Sequence, residues 1–211
     1  MSDRKLFVAM AGNIGSGKTT VAKMISQTFG FELFDEPVID NRFLKHYYAD
    51  MRRWSFTLQM EFLIKRIEHH QLIGSVGKSC IQDRTLLEDP EIFAKYLHGL
   101  GHMTDQELDL YFDYYRRLSR DIEHPAKVIY LHAPDVFLLQ ERIRIRGREE
   151  ERQIPQQFLE GLNGYYNAFP QVCRNKYNVD VKVFEVMHVD IRAGESRTRF
   201  LAEVEKFLFS E

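Results

Sequence analysis

The chain has 211 residues, 44% of them hydrophobic and 28% charged, with 29 Lys and Arg set against 31 Asp and Glu for a formal net charge of -2. That length suits a single domain, 1–211, with a full core, and the near balance of charge excludes a broad nucleic-acid surface, which needs an excess of cation. The two cysteines, Cys80 and Cys173, lack CxxC spacing and fit a reducing, cytoplasmic compartment; the N-terminal stretch LFVAMAG is too short for a membrane span and has no cleavage-site pattern.

Residues 5–11, KLFVAMA, form an apolar run that ends at Gly12 and reads as a buried strand. Lys18 to Thr28 then places Val21, Ala22, Met24 and Ile25 at helical spacing. FELF at 31–34 reads as a second strand, closed by an acidic turn before Pro37. From about Arg52 to Leu72 a long helix carries Trp54, Phe56, Leu58, Phe62, Leu63 and Ile67, and SCIQD at 79–83 suggests a third strand. Helices follow near 89–99 and 104–122, the second with Leu108, Tyr111, Phe112 and Tyr115 along one stripe, as core or dimer surface. AKVIYLHA, 126–133, is a fourth strand stopped by Pro134; a helix leads from it into an arginine-rich segment, and another begins near Pro155. VKVFEVM at 181–187 is a fifth strand and Glu195 to Ser210 a closing helix. Strands separated by helices of this length predict an α/β fold, a five-stranded parallel sheet covered on both faces.

GNIGSGKT, residues 12–19, stands between the first strand and the first helix and matches GxxxxGK[ST] in full. Glycines let the backbone wrap a triphosphate, the helix N-terminus adds a positive field, and Lys18 reaches the terminal phosphates. The nucleotide-binding set is Gly12, Asn13, Ile14, Gly15, Ser16, Gly17, Lys18, Thr19 and Thr20, with the Thr19 hydroxyl a ligand for Mg²⁺. No [NT]KxD segment is present to read guanine. Asp83, at the end of the third strand, stands where such folds place a second acid near the metal.

ERIRIRGREEER, residues 141–152, holds five arginines and four glutamates. Phosphoryl transfer depends on cations that surround the moving phosphate, and the planar guanidinium fork donates two parallel hydrogen bonds to phosphate oxygens. Arg142 and Arg146 share a helix face, and Gly147 lets the chain turn so that Arg148 converges with them. The segment at about 142–152 therefore reads as an arginine lid rather than a solvated helix face. His98 and His102 have the spacing of a metal pair, but Gly99 and Gly101 disfavour a helix there and no third ligand is near, so zinc is not expected.

DEPV (35–38), RWSFTLQ (53–59), DRTLLEDPEIFAK (83–95) and RIRIRGREEE (142–151) fall into line with the P-loop. Together these segments resemble the deoxynucleoside kinase family, most nearly its bacterial deoxyadenosine kinases, over most of the chain. The resemblance implies a nucleoside-kinase fold and transfer of the γ-phosphate of ATP, with Mg²⁺, to the 5′-hydroxyl of a deoxynucleoside. It makes Glu36 the general base, Arg84 the holder of the 5′-oxygen and incoming phosphoryl group, and Tyr48 and Glu151 the grip on the 3′-hydroxyl. Family members often show Glu-Arg-Ser where this chain has Asp83-Arg84-Thr85, one methylene shorter at the acid. Base recognition falls to Gln59, Arg66, Asp89 and Phe93: a carboxamide donates and accepts at once, matching the edge of adenine, and Phe93 offers a stacking face. Thymidine-preferring members generally carry apolar groups at the Arg66 and Asp89 positions, so deoxyadenosine, deoxyguanosine or deoxycytidine is expected. A homodimer is implied by the family. Two other readings stay open, a thymidylate-kinase-like nucleotide kinase and a non-catalytic nucleotide-switched binding module.

Overall fold

A computed structural model of the chain describes residues 5–35, 41–151, 154–186 and 194–210. In chain order it contains β1 (Phe7–Gly12), α1 (Lys18–Phe29), β2 (Glu32–Phe34), α2 (Leu44–Ala49), α3 (Met51–Ser75), β3 (Cys80–Gln82), a π-helical turn (Asp89–Ala94), α4 (Lys95–Gly99) and α5 (Asp105–Leu118). There follow β4 (Lys127–His132), α6 (Val136–Arg146), a 3₁₀ turn (Glu149–Glu151), α7 (Gln156–Tyr177), β5 (Asp180–Glu185) and α8 (Gly194–Phe209). All five strands are parallel, in the order β2-β3-β1-β4-β5. The five-stranded parallel sheet expected from the sequence is thus present.

The apolar run of β1 puts it at the centre. Every residue from Phe7 to Gly12 is buried, flanked by β3 in the register Val8↔Ile81 and by β4 in the register Met10↔Ile129. The chain leaves β1 toward one side of the sheet and crosses after β3 to the other. The C-terminal ends of β1 and β3 therefore open on the crevice where such sheets hold ligands. Phe34 O at the end of β2 accepts from Asp83 N–H at 2.8 Å, so the three strand ends form one edge. Gly30, left-handed at φ 71°, ends α1. A Thr104–Glu107 capping box starts α5, which stops at Leu118 rather than running to residue 122. Among the described residues no helix is long and apolar enough to cross a membrane.

His70, on the inner side of α3, is 3% exposed; its Nδ1 lies 3.1 Å from the carbonyl oxygen of Glu123, and Phe7 meets its ring edge-on. Burial pushes the imidazole down from 6.5 to about 4, helped by Arg66 and His124 and opposed by the Glu123 carbonyl. Because the unfolded chain binds this proton more readily, the contribution is fully present above pH 6.5 and is lost as pH falls toward 4. By pH 5 the loss amounts to about 2 kcal/mol. His70→Gln is expected to flatten this part of the profile, narrowing the fall in Tm between pH 7 and pH 5 by roughly 4–8 °C. Parallel thermal melts of the two proteins check it; identical profiles refute it.

Candidate active site

The glycine loop, the helices α1, α2, α3, α6 and α7 and the end of β4 at Leu131 line one cleft of about 850 Å³. The sequence places a glycine-rich loop directly after β1, and the fold bends it back over the start of α1. Gly15 adopts φ 81°, and a Cβ there would stand 2.7 Å from the carbonyl oxygen of Leu139 on α6. Any larger residue would push α6 off the loop. Asn13 is buried and anchors the loop from beneath: its Nδ2 donates to Leu159 O at 2.9 Å and Asn163 Oδ1 at 2.8 Å, both on α7. The Lys18 ammonium curls back to donate to Gly12 O at 2.7 Å and Asn13 O at 3.1 Å. Thr19 Oγ1 donates to Asp83 Oδ2 at 2.5 Å, which sets a hydroxyl and a buried carboxylate side by side at the mouth of the loop.

Of the residues singled out from the sequence, Ile14 through Thr20 line this cleft, as do Tyr48, Gln59, Arg84 and Phe93. So do Arg142, Arg146, Arg148 and Glu151. Gly12, Asn13, Arg66, Asp83 and Asp89 lie buried behind these walls. Glu36 lies outside the described residues, and Asp35 before it is exposed.

Arg84 has a left-handed backbone, φ 75°, a conformation that costs an L-residue about 1–2 kcal/mol. That turn lays its guanidinium over the face of Phe93, 3.9 Å from the ring centroid. Arg66 Nε donates to Asp89 Oδ2 at 2.5 Å, each side chain 1% exposed. Both Arg66 and Gln59 sit on the buried side of α3, and Gln59 Oε1 has no hydrogen-bond partner among the described residues. Asp89 opens the π-helical turn that also carries Phe93, and it lies behind the wall to which Phe93 belongs.

The helix that leads into the arginine segment is α6. Its inner face carries Leu139 and Ile143, Asp135 caps its start, and Gly147 at φ 73° ends it, as expected from the sequence. Arg142 donates to Ser16 O at 3.2 Å and so rests on the glycine loop. Arg146 and Arg148 both turn to Glu151, Arg148 Nη1 at 3.1 Å from Oε1 and Arg146 in close contact with Oε2. Glu151 is buried between them.

Sequence reasoning passed over Glu88, which is fully buried. Its Oε1 accepts from Gly12 N–H at 3.0 Å and from the Tyr166 hydroxyl at 2.6 Å, and its Oε2 accepts from Thr85 N–H at 2.9 Å. Burial pushes this carboxyl up from its ordinary value, while Arg84 and Lys18 pull it down. In the sequence it reads as one more loop acid in DRTLLED. His98 Nε2 meets Asp105 at 2.7 Å, and among the described residues no group of three or more His, Cys, Asp or Glu could hold a metal ion. Chemically, the cleft offers backbone amides and one ammonium at one end, guanidinium groups above, and a carboxamide with an aromatic face at the other. That layout suits a polyphosphate lying against a planar, hydrogen-bonding base.

A family model described as deoxynucleoside kinase matches residues 8–209. The deoxyadenosine kinase of Dictyostelium discoideum is 33% identical over 165 residues, which cover 78% of this chain and 66% of that protein. The deoxyadenosine/deoxycytidine kinase of Bacillus subtilis (strain 168) is 34% identical over 161 residues, 75% of this chain and 74% of its own length. A deoxyguanosine kinase of the same organism is 35% identical over 162 residues, 77% of each. Among solved structures, deoxyadenosine kinase from M. mycoides with bound dATP superposes with a TM-score of 0.82 at 30% identity, covering 95% of this chain and 99% of that one.

Proposed function

The chain belongs to the deoxynucleoside kinase family and is an ATP-dependent deoxynucleoside kinase; we propose that its preferred acceptor is deoxyadenosine, phosphorylated on the 5′-hydroxyl. The observation that carries the choice of base is the buried Arg66–Asp89 pair behind the cleft wall that holds Gln59 and Phe93. A carboxamide held there donates to and accepts from the amino-and-ring-nitrogen edge of adenine, and Phe93 stacks on its face. Thymine presents a carbonyl and a ring N–H instead, and a site built for hydrogen bonds rejects the analogue that leaves its groups unpaired. The similar proteins named for deoxyadenosine, deoxycytidine and deoxyguanosine support this choice of bases.

In this reading, loop amides from Gly15 to Thr20 and the Lys18 ammonium hold the triphosphate of ATP. Arg142, Arg146 and Arg148 close over the γ-phosphate and exclude water. Glu36 takes the 5′-hydroxyl proton, Arg84 holds that oxygen and the arriving phosphoryl group, and Tyr48 and Glu151 grip the 3′-hydroxyl. Thr19 and Asp83 would hold Mg²⁺: a hydroxyl and a carboxylate 2.5 Å apart are hard oxygen donors, and this ion takes few protein ligands beside waters and phosphate oxygens. When bound it neutralises charge on the phosphates. The protein acts in the cytoplasm as a single-domain subunit of a homodimer. The exposed apolar residues Leu110, Tyr114 and Leu118 of α5, with Ile64 and Leu72 of α3, support a helical pairing surface.

Measuring kcat/KM for the four deoxynucleosides with ATP tests the assignment. Deoxyadenosine is expected to rank first and thymidine last, by a factor on the order of 10² or more. Equal turnover of thymidine refutes the base assignment. Turnover of a nucleoside monophosphate in place of every nucleoside would instead favour the thymidylate-kinase-like alternative.

A further inference from the structure

One carboxylate ties together the two loops between which a phosphoryl group has to move. The glycine loop begins at Gly12, and the loop after β3 carries Asp83, Arg84 and Thr85. Glu88 Oε1 takes the Gly12 amide at 3.0 Å and Oε2 the Thr85 amide at 2.9 Å. Tyr166 of α7 braces the same junction, its hydroxyl 2.6 Å from Glu88 Oε1 and 2.8 Å from Gly12 O. Three donors converge on a side chain with no exposed surface. Only a carboxylate, which has two acceptor oxygens and no proton of its own, takes a backbone amide on each oxygen. A glutamine here would turn an N–H₂ toward one of the two amides. The tie also bears on strain: Arg84 is left-handed, and the peptide that follows it is the one whose N–H Glu88 Oε2 holds. Such a conformation persists where its surroundings over-determine it.

We propose that Glu88 is a positioning residue for phosphoryl transfer, its carboxylate locking the donor-side loop at Gly12 to the acceptor-side loop at Thr85 so that the two substrates meet in one fixed geometry. It touches neither substrate. Each loop binds its own ligand without the tie, but their mutual alignment depends on it, and misplacement on the order of 1 Å costs about 10²-fold in rate. The inference rests on the kinase reading.

The test compares Glu88→Gln with the wild-type full chain. Separate titrations give the Kd of ATP and of the deoxynucleoside that the wild type turns over fastest, steady-state kinetics give kcat, and a thermal melt confirms folding. The expected result is a fall in kcat of about 10²-fold with both dissociation constants within roughly threefold of wild type. A kcat within threefold of wild type overturns the proposal. So does a loss confined to ATP affinity, the signature of simple damage to one loop. If E88Q does not fold, Glu88→Asp decides, because it keeps the charge but is one methylene too short to hold both amides. A drop in kcat of about 3–10-fold with both affinities kept supports the proposal, and an unchanged kcat sinks it. Wild-type turnover tests the kinase reading by itself, whereas the ratio of variant to wild type tests only the inference.

Discussion

Glu36→Gln is expected to lower kcat by a factor of about 10²–10⁴ while both substrates still bind. A deoxynucleoside 5′-hydroxyl is a poor nucleophile until its proton is taken, and a carboxamide of the same shape accepts a hydrogen bond but does not accept the proton. The loss corresponds to about 3–5 kcal/mol of transition-state stabilisation. The family resemblance makes Glu36 the candidate, and in the chain it stands two residues beyond Phe34, whose carbonyl oxygen accepts from Asp83 N–H beside the proposed phosphoryl-holding Arg84. Asp35 is the neighbouring competitor in the sequence, so Asp35→Asn serves as the comparison and should keep most of the wild-type rate. Steady-state kinetics with deoxyadenosine and ATP decide the matter. Near-full turnover of E36Q would remove the general-base assignment.

The second large effect concerns stability. Replacing Asp89 by Ala is expected to cost about 3–5 kcal/mol, because it strips the carboxylate from a guanidinium that is 1% exposed. At roughly 2–4 °C per kcal/mol for a chain of this size, Tm should fall by about 6–20 °C. Selectivity against thymidine should weaken with it, since Arg66 and Asp89 stiffen the wall that carries Gln59 and Phe93. Removing both charges together, as Arg66→Met with Asp89→Leu, should recover most of the lost stability, because buried pairs often exchange for apolar packing at little net cost. Melting curves of the three variants distinguish these outcomes. A D89A protein within 1 kcal/mol of wild type would show the pair to be unimportant.

Much of the fold was legible because each element declared itself over several residues. β1 is a continuous apolar run, and α1 shows its helical stripe directly after a loop whose glycines are demanded by backbone geometry. The arginine segment could be placed because Gly147 marks the end of α6 and four-residue spacing puts Arg142 and Arg146 on one face. α2 was not read. It is only six residues long, and no side-chain hydrogen bond caps its start at Phe43, so neither periodicity nor a cap signal was present. The π-helical turn was read as ordinary helix, since apolar spacing does not reveal where a hydrogen-bond register widens. Tertiary pairing explains the remaining gaps. Glu88 finds its partners 76 and 78 positions away at Gly12 and Tyr166, and nothing nearby in the chain announces them. Likewise, the run of glutamates does not say that Glu151 rather than its neighbours is the one enclosed by Arg146 and Arg148.

The wide coil from Asp89 to Ala94 sets how this pocket would respond to a change in chain length. One residue more than a regular helix would need is threaded through that stretch, and each residue turns a helix by roughly 100°. Deleting it would tidy the hydrogen-bond ladder and at the same moment swing Phe93 away from beneath the Arg84 guanidinium. The length of that stretch, rather than the regularity of its hydrogen-bond ladder, is therefore what keeps Phe93 beneath the guanidinium.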